Sequence, residues 1–215
     1  MKIRGAAREY LEAILVALIL ALVLRTFVVQ AYRIPSDSME NSLTVGDFIL
    51  VSKFTYHFRE PAPNDILVFK YPLNPSKDFV KRCIAVEGQM VEIRDKQVYV
   101  NNIPRTEPTG VFYSDPNLVP VDLGNRDNFG PVIVPPGTVF VLGDNRDNSR
   151  DSRVWGFLDK ELIRGKASFV YWSWAPDPNA PKWESPYLLP ILTIPFYNLM
   201  HFPSRIRWDR IGTAL

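Results

Sequence analysis

The chain has 215 residues, 47% of them hydrophobic and 22% charged, with a formal net charge of +2. So small a net charge, with basic residues scattered rather than striped, leaves no electrostatic footprint for a nucleic-acid partner. The single cysteine, Cys83, excludes an intrachain disulfide. The 19 prolines and 13 phenylalanines argue against a helical bundle and suit short strands joined by proline-marked turns.

The first element is apolar. Met1 to Glu12 carries Lys2, Arg4 and Arg8, Ala13 to Leu24 is an unbroken apolar run, and Phe27 to Val29 resume it after Arg25. A helix from Tyr10 to Val29 would be about 30 Å long, one hydrocarbon thickness. The reading adopted is a retained membrane anchor over residues 1–30, with Arg25 snorkelling to the outer headgroups and the basic start in the cytoplasm. A cleaved secretory signal with a small-x-small site at Val29-Gln30-Ala31 and a buried soluble helix are the alternatives.

Strand signals follow. Asp47 to Val51, Asp65 to Tyr71 and Asp78 to Val86 are β-branched or aromatic and bounded by Gly, Pro or Asn. Met90 to Ile93 and Gln97 to Val100 flank Arg94-Asp95-Lys96 as a hairpin. Thr106 to Asn128 is polar and rich in Pro, Gly and Asn, and reads as an accessory excursion within about residues 101–130. Glu161 to Ile163 reads as a short helical turn, and Thr138 to Leu142 and Lys166 to Trp172 as further strands. The whole is mainly β, a folded-over sheet. Tyr187 to Pro203 holds no Asp, Glu, Lys or Arg. With Pro190 and Pro195 interrupting a helix, it is read as interfacial, packed on the β-domain, or spanning.

Three polar segments carry candidate chemistry. Ile34-Pro35-Ser36-Asp37-Ser38-Met39 lies about nine residues beyond the apolar stretch, roughly 30 Å at most when extended, so Ser38 is tied to the membrane surface. A nucleophilic serine needs a base. His57 and His201, the two histidines, sit in no catalytic pattern. A lysine serves as base if burial keeps its amine neutral. Lys81 shares a strand face with Phe79, Cys83 and Ala85 by alternation, although an edge-strand lysine reads the same way. The third segment, Gly143 to Arg153, is dense in Asp and Arg. A calcium loop beginning at Asp147 fails, with Ser152 where glycine is required and Leu158 where the bidentate Glu belongs, so no metal is expected. What remains is a solvated turn or a satisfied polar network.

Together these segments resemble bacterial type I signal peptidases. The matching residues are Ile34 to Met39 with Gly46-Asp47, Asp65 to Phe69, Val80-Lys81-Arg82, and Gly143 to Arg153 followed by Trp155-Gly156. The resemblance implies Ser38 as nucleophile and Lys81 as general base, with the Ser38 N–H and Ser36 hydroxyl as oxyanion donors. Ser149 would orient the lysine amine, Asp144 and Arg82 form a supporting ion pair, and Asp151 and Arg153 extend it. Ile34, Pro35, Met39, Leu43, Phe79 and Val80 would shape shallow pockets for small side chains at −1 and −3 of the substrate. One departure stands out: Asn41-Ser42 replaces the Pro-Thr that the family often carries.

The fold implied is a folded-over β-sheet catalytic domain with a smaller accessory β region, residues 31–215, behind one transmembrane helix. The activity implied is a membrane-bound serine endopeptidase that removes signal peptides from exported preproteins without a cofactor. Its partners would be preprotein signal peptides and the bilayer. It would sit in the cytoplasmic membrane, single-pass, with its catalytic domain on the extracytoplasmic (periplasmic) face. The rivals are a Ser/Lys self-cleaving repressor protease, which would carry a DNA-binding helical domain, and a non-enzymatic anchored β-domain that binds exported chains.

Overall fold

The computed structural model describes residues 2–23, 28–181 and 188–215. Arg25 and Phe27, invoked for the outer end of the anchor, and Tyr187 lie outside the described residues.

Eleven strands are described: β1 Val29–Arg33, β2 Asp47–Ser52, β3 Ile66–Tyr71, β4 Asn74–Val86, β5 Met90–Arg94, β6 Gln97–Val100, β7 Ile103–Pro104, β8 Phe129–Ile133, β9 Thr138–Leu142, β10 Leu158–Asp159 and β11 Ile163–Ser173. Four helices accompany them: α1 Lys2–Val23, α2 Ser152–Trp155, α3 Leu188–Met200 and α4 Phe202–Arg205. A seven-stranded sheet runs β1-β2-β11-β3-β4-β9-β10 and a four-stranded sheet runs β7-β6-β5-β8. Every paired strand is antiparallel to its neighbour. The architecture is mainly β, as expected, with the smaller sheet built around the hairpin of β5 and β6. Asp95 and Lys96 turn that hairpin with φ of 47° and 71°, the left-handed pair whose twist matches the strands. Between β7 and β8 the polar excursion forms one short 3-10 turn, Val121–Leu123.

Alternation sets the core. β2 buries Asp47, Ile49 and Val51 and turns Phe48, Leu50 and Ser52 outward. Ile49 and Val51 pack with Ile34, Met39, Leu43, Ile66, Val68, Ala167 and Val170. On the other face Leu67, Phe69, Cys83, Val139, Val141 and Leu158 pack together, with Phe79 against them. Burying each large side chain contributes about 1.5–3 kcal/mol. A register shift between Cys83 and Ala85 breaks the expected face: Phe79 and Cys83 share one cluster, but Ala85 joins Ile84 in the cluster under the small sheet.

Two helical expectations are corrected. The helix read as Tyr10 to Val29 ends, in the described residues, at Val23, and Val29 to Arg33 form β1 on β2. Its short β-branched start pairs with a free sheet edge instead of extending the helix. No helix among the described residues is long and apolar enough to cross a membrane; α1 carries Arg8, Glu9 and Glu12 in its first half. The side chains of Tyr10, Leu11, Ile14 and Leu15 to Leu22 are nevertheless exposed, so α1 is not a buried helix. Near the other end, α3 continues through Pro195 rather than breaking there. Pro190 stands in its first turn, where an N–H has no helical acceptor, so only Pro195 removes an internal bond. Thirteen residues make about 20 Å, short of the hydrocarbon thickness.

Candidate active site

The turn carrying Ser38 is held on three sides. Ile34 extends β1 by donating to Asp47 O (2.8 Å) and accepting from Gly46 (3.0 Å). After Ser38 the chain makes a tight turn, with Glu40 N bonded to Asp37 O and Leu43 N to Met39 O. Asn41 sits at φ 70° in that turn. Asparagine tolerates this left-handed conformation, whereas proline, fixed near −65°, is excluded from it. Asn41 therefore suits the turn as this chain makes it.

From behind, Gly143 to Arg153 closes on the same turn. Asn145 N donates to Ser38 O (3.2 Å) and Asn145 Nδ2 to Asp37 O (3.3 Å), while Asn148 Nδ2 donates to Asp37 Oδ2 (2.9 Å). A Cβ on Gly143 would lie 2.5 Å from Ser38 O and 2.2 Å from Ser149 Oγ. Only glycine permits that approach.

Lys81 arrives from the middle of β4. It is 3% exposed; its Nζ donates to Ser38 Oγ (2.6 Å) and Val80 O (3.0 Å) and lies 5.5 Å from the Phe79 ring centre. Burial pushes its pKa from an ordinary 10.5 down to about 8; the charges of Asp151 and Asp144 oppose the shift and Arg153 assists it. Ser149, expected to orient the amine, is not among its partners: the Ser149 hydroxyl is buried against Gly143 without a hydrogen-bond partner.

The acidic loop is a satisfied network, not a solvated turn. Arg82 meets Asp144 through two parallel bonds, Nε to Oδ1 (2.8 Å) and Nη2 to Oδ2 (2.6 Å), both side chains nearly inaccessible. Asp151 caps α2, accepting from Arg153 N and from its guanidinium (2.9 and 2.8 Å) and from Gly143 N (3.0 Å). Arg153 donates onward to Arg146 O (2.6 Å), and Arg146 pairs with Glu107 of the excursion. Phe112 of the excursion bonds in both directions across the loop, to Asp144 O and from Arg146 N. Lys96, at the hairpin turn, pairs with Asp147 (2.8 Å). The accessory region is thereby tied to the loop behind Ser38.

In front of the pair lies a cavity of about 400 Å3. Ile34, Pro35, Met39, Phe79 and Val80 line it, together with Tyr32, Arg33, Ser36, Val68, Asp78, Asn148 and Arg150. Leu43 does not: it is fully buried in the core cluster beneath. Tyr32 belongs to the unforeseen β1. Its pKa is pushed up to about 12 by burial and by the negative charge of Asp78. His57 and His201 are not among the cavity's lining residues and bond to Lys53 O and Tyr197 O. Among the described residues no group of three or more His, Cys, Asp or Glu side chains is arranged to hold a metal ion.

Residues 7–172 match the family model described as signal peptidase, peptidase S26. The chain belongs to this signal peptidase family. A signal peptidase I of Aquifex aeolicus (strain VF5) is 34% identical over 93% of this chain and 97% of its own. A probable signal peptidase I-1 of a Synechocystis strain is 41% identical over 76% and 82%. A crystal structure of a signal peptidase I from Enterococcus faecalis V583 is 30% identical, covering 50% of this chain and 97% of that one at a TM-score of 0.40. The S26 match takes in all three polar segments and both strands that deliver Ser38 and Lys81. Sequence reasoning passed over Asn145 and Asn148, which hold the Ser38 turn, because Asn in a polar run signals only a turn.

Proposed function

We propose that this signal peptidase family member is a serine endopeptidase that removes signal peptides from exported preproteins by acyl-enzyme chemistry. The observation that carries the reading is the 2.6 Å contact between a buried lysine amine and Ser38 Oγ at an apolar cavity. A neutral Lys81 takes the Ser38 proton as Oγ attacks the scissile carbonyl. The Ser38 N–H and Ser36 hydroxyl receive the developing oxyanion. The lysine then returns its proton to the departing amine and activates the water that frees the acyl group. Ile34, Met39, Phe79 and Val80 bound the space for side chains at −1 and −3, favouring small ones by steric exclusion. The extended substrate pairs with the sheet edge that leads into Ser38.

The same reading puts the enzyme on a membrane, single-pass, with the β-domain on the extracytoplasmic side. Its support is apolar surface without a protein partner. Every residue of α1 from Tyr10 to Val23 is exposed. Phe196, Leu199 and Met200 of α3 are 66%, 73% and 64% exposed. We read α1 with the segment after it as the anchor, and α3 as an interfacial helix that meets the outer leaflet.

One assay tests the activity: incubation of the full chain with a preprotein, the cut being located by mass spectrometry. Cleavage after a small −1 residue is expected from wild type, none from Ser38→Ala or Lys81→Ala, and retained cleavage from His57→Ala. An active Lys81→Ala enzyme contradicts the dyad. For the interfacial helix, a chain lacking residues 1–28 should still float with liposomes, and Phe196→Ser with Leu199→Ser should abolish flotation; sedimentation of the unmutated shortened chain refutes it.

A further inference from the structure

The cavity has a direction. Asp78 lies three residues before Lys81 on β4, about 10 Å away along the strand. Arg82, the residue after Lys81, pairs with Leu142 at the end of β9, and the loop bearing Asn148 and Arg150 leaves from there. Asp78 therefore marks the end remote from Ser38, and Asn148 and Arg150 the end at which Ser38 stands. An extended substrate with its −1 residue at Ser38 directs its −3 side chain about 7 Å toward Asp78. The residues after the scissile bond must then leave past Asn148 and Arg150.

Arg150 is unlike the other arginines of its loop. Arg146 and Arg153 are buried and committed to Glu107 and Asp151. Arg150 is exposed and lines the cavity. Its carbonyl accepts from Trp155 Nε1, but its guanidinium has no ion-pair or hydrogen-bond partner among the described residues. The exposed carboxylate of Asp37, beside Ser38, is taken by Asn148 and forms no ion pair with Arg150. An exposed guanidinium at the exit of a peptide cleft, left unpaired by its own protein, matches a carboxylate on the passing chain.

We propose that Arg150 determines specificity on the departing side, binding an acidic side chain within the first residues after the scissile bond and disfavouring Lys or Arg there. This rests on the peptidase reading given above. The contact is solvent-exposed, so it sorts substrates by a modest factor and weakens with salt.

The test uses three preproteins differing only at +2, with Glu, Gln or Lys, and the full-length wild type, Arg150→Ala and Arg150→Glu. In low salt the wild-type kcat/KM should fall in the order Glu, Gln, Lys, with a Glu-to-Lys ratio of about threefold or more that shrinks at high salt. Arg150→Ala should bring that ratio toward one, and Arg150→Glu should invert it. A ratio near one in wild type, or one unchanged in Arg150→Ala, overturns the proposal. The same three sequences are also titrated onto Ser38→Ala and onto Ser38→Ala combined with Arg150→Ala. The Kd order should follow Glu, Gln, Lys in the first and level out in the second. If wild type cuts none of the three, the peptidase reading fails while the Kd order still decides the role of Arg150.

Discussion

Lys81 Nζ reaches Ser38 Oγ across 2.6 Å from a position 43 residues further along the chain. The two are brought together by β4, which buries the lysine, and by the loop after β9, which holds the serine turn from behind. Because the amine has a pKa of about 8, it is charged in the acid range and becomes a base only as it loses its proton. Cleavage rate should therefore rise with pH through a midpoint near 8. Initial rates between about pH 6 and 10 measure this. A profile flat across that range is incompatible with Lys81 as the base.

Stability carries the same signature. The folded pKa is below the ordinary 10.5, so between about 8 and 10.5 the unfolded chain holds more protons and stability rises with pH. Below 8 the native state bears the full cost of a buried ammonium, of the order of 3 kcal/mol. Lys81→Met removes that cost, so its stability relative to wild type should be greatest at pH 7 and shrink by pH 10. Denaturant midpoints in detergent at both pH values would show it; a difference independent of pH would mean the lysine is not desolvated.

Gly143→Ala should inactivate the protein more than it unfolds it. The added methyl would stand 2.5 Å from Ser38 O, so either the serine turn or the loop must shift. A displacement of about 1 Å at a reacting group can cost on the order of a hundredfold in rate. Full activity in this variant would show that the turn is softer than the contact implies.

Asn41→Pro introduces the residue that the family often carries, yet it should harm this chain. At φ 70° proline cannot be accommodated, and the turn after Ser38 must rearrange. Asn41→Gly, which fits the same φ, should be tolerated within about 1 kcal/mol. Thermal melts and kcat for the pair decide the matter: equal behaviour of the two variants would refute the conformational argument.

Removing one partner of the Arg82–Asp144 pair leaves the other buried without compensation. Asp144→Ala should cost about 3–5 kcal/mol and lower activity through the loop. A double variant, Arg82→Met with Asp144→Leu, should recover part of the stability but not the activity. Chemical denaturation beside the cleavage assay separates the two effects.

Much of this was legible in sequence, for reasons that differ by element. β3, β9 and the Asp78 to Val86 part of β4 are β-branched or aromatic runs bounded by Pro, Asn or Gly, and their alternation set Phe79 beside Lys81, but β4 begins at Asn74, in a polar stretch that carries no strand signal. β1 was not legible: its Val29 continues the hydropathy of the preceding stretch, and only pairing with β2 makes it a strand. α3 was misread because Pro195 dominates any local rule, while an apolar helix in a tertiary setting tolerates one missing bond. Ser149 was expected at the amine and instead faces Gly143, since rotamer choice in a packed loop follows close contacts that sequence does not display. The Leu43 side chain, expected in the wall, lies one layer deeper because the turn at Asn41 directs it into the core.

The serine turn also has a fastening supplied from far downstream. Arg210 grips Asp47 (2.6 Å) and donates to Ser42 O (3.1 Å), and Arg207 donates to Val45 O (2.7 Å). A ribosome that has translated Ser38, Lys81 and the whole Gly143 to Arg153 loop has still not made these two arginines. A nascent chain halted before position 207 holds every group of the dyad on a turn that still lacks these bonds. The order of synthesis thus makes this C-terminal clamp the last of the turn's supports to be added.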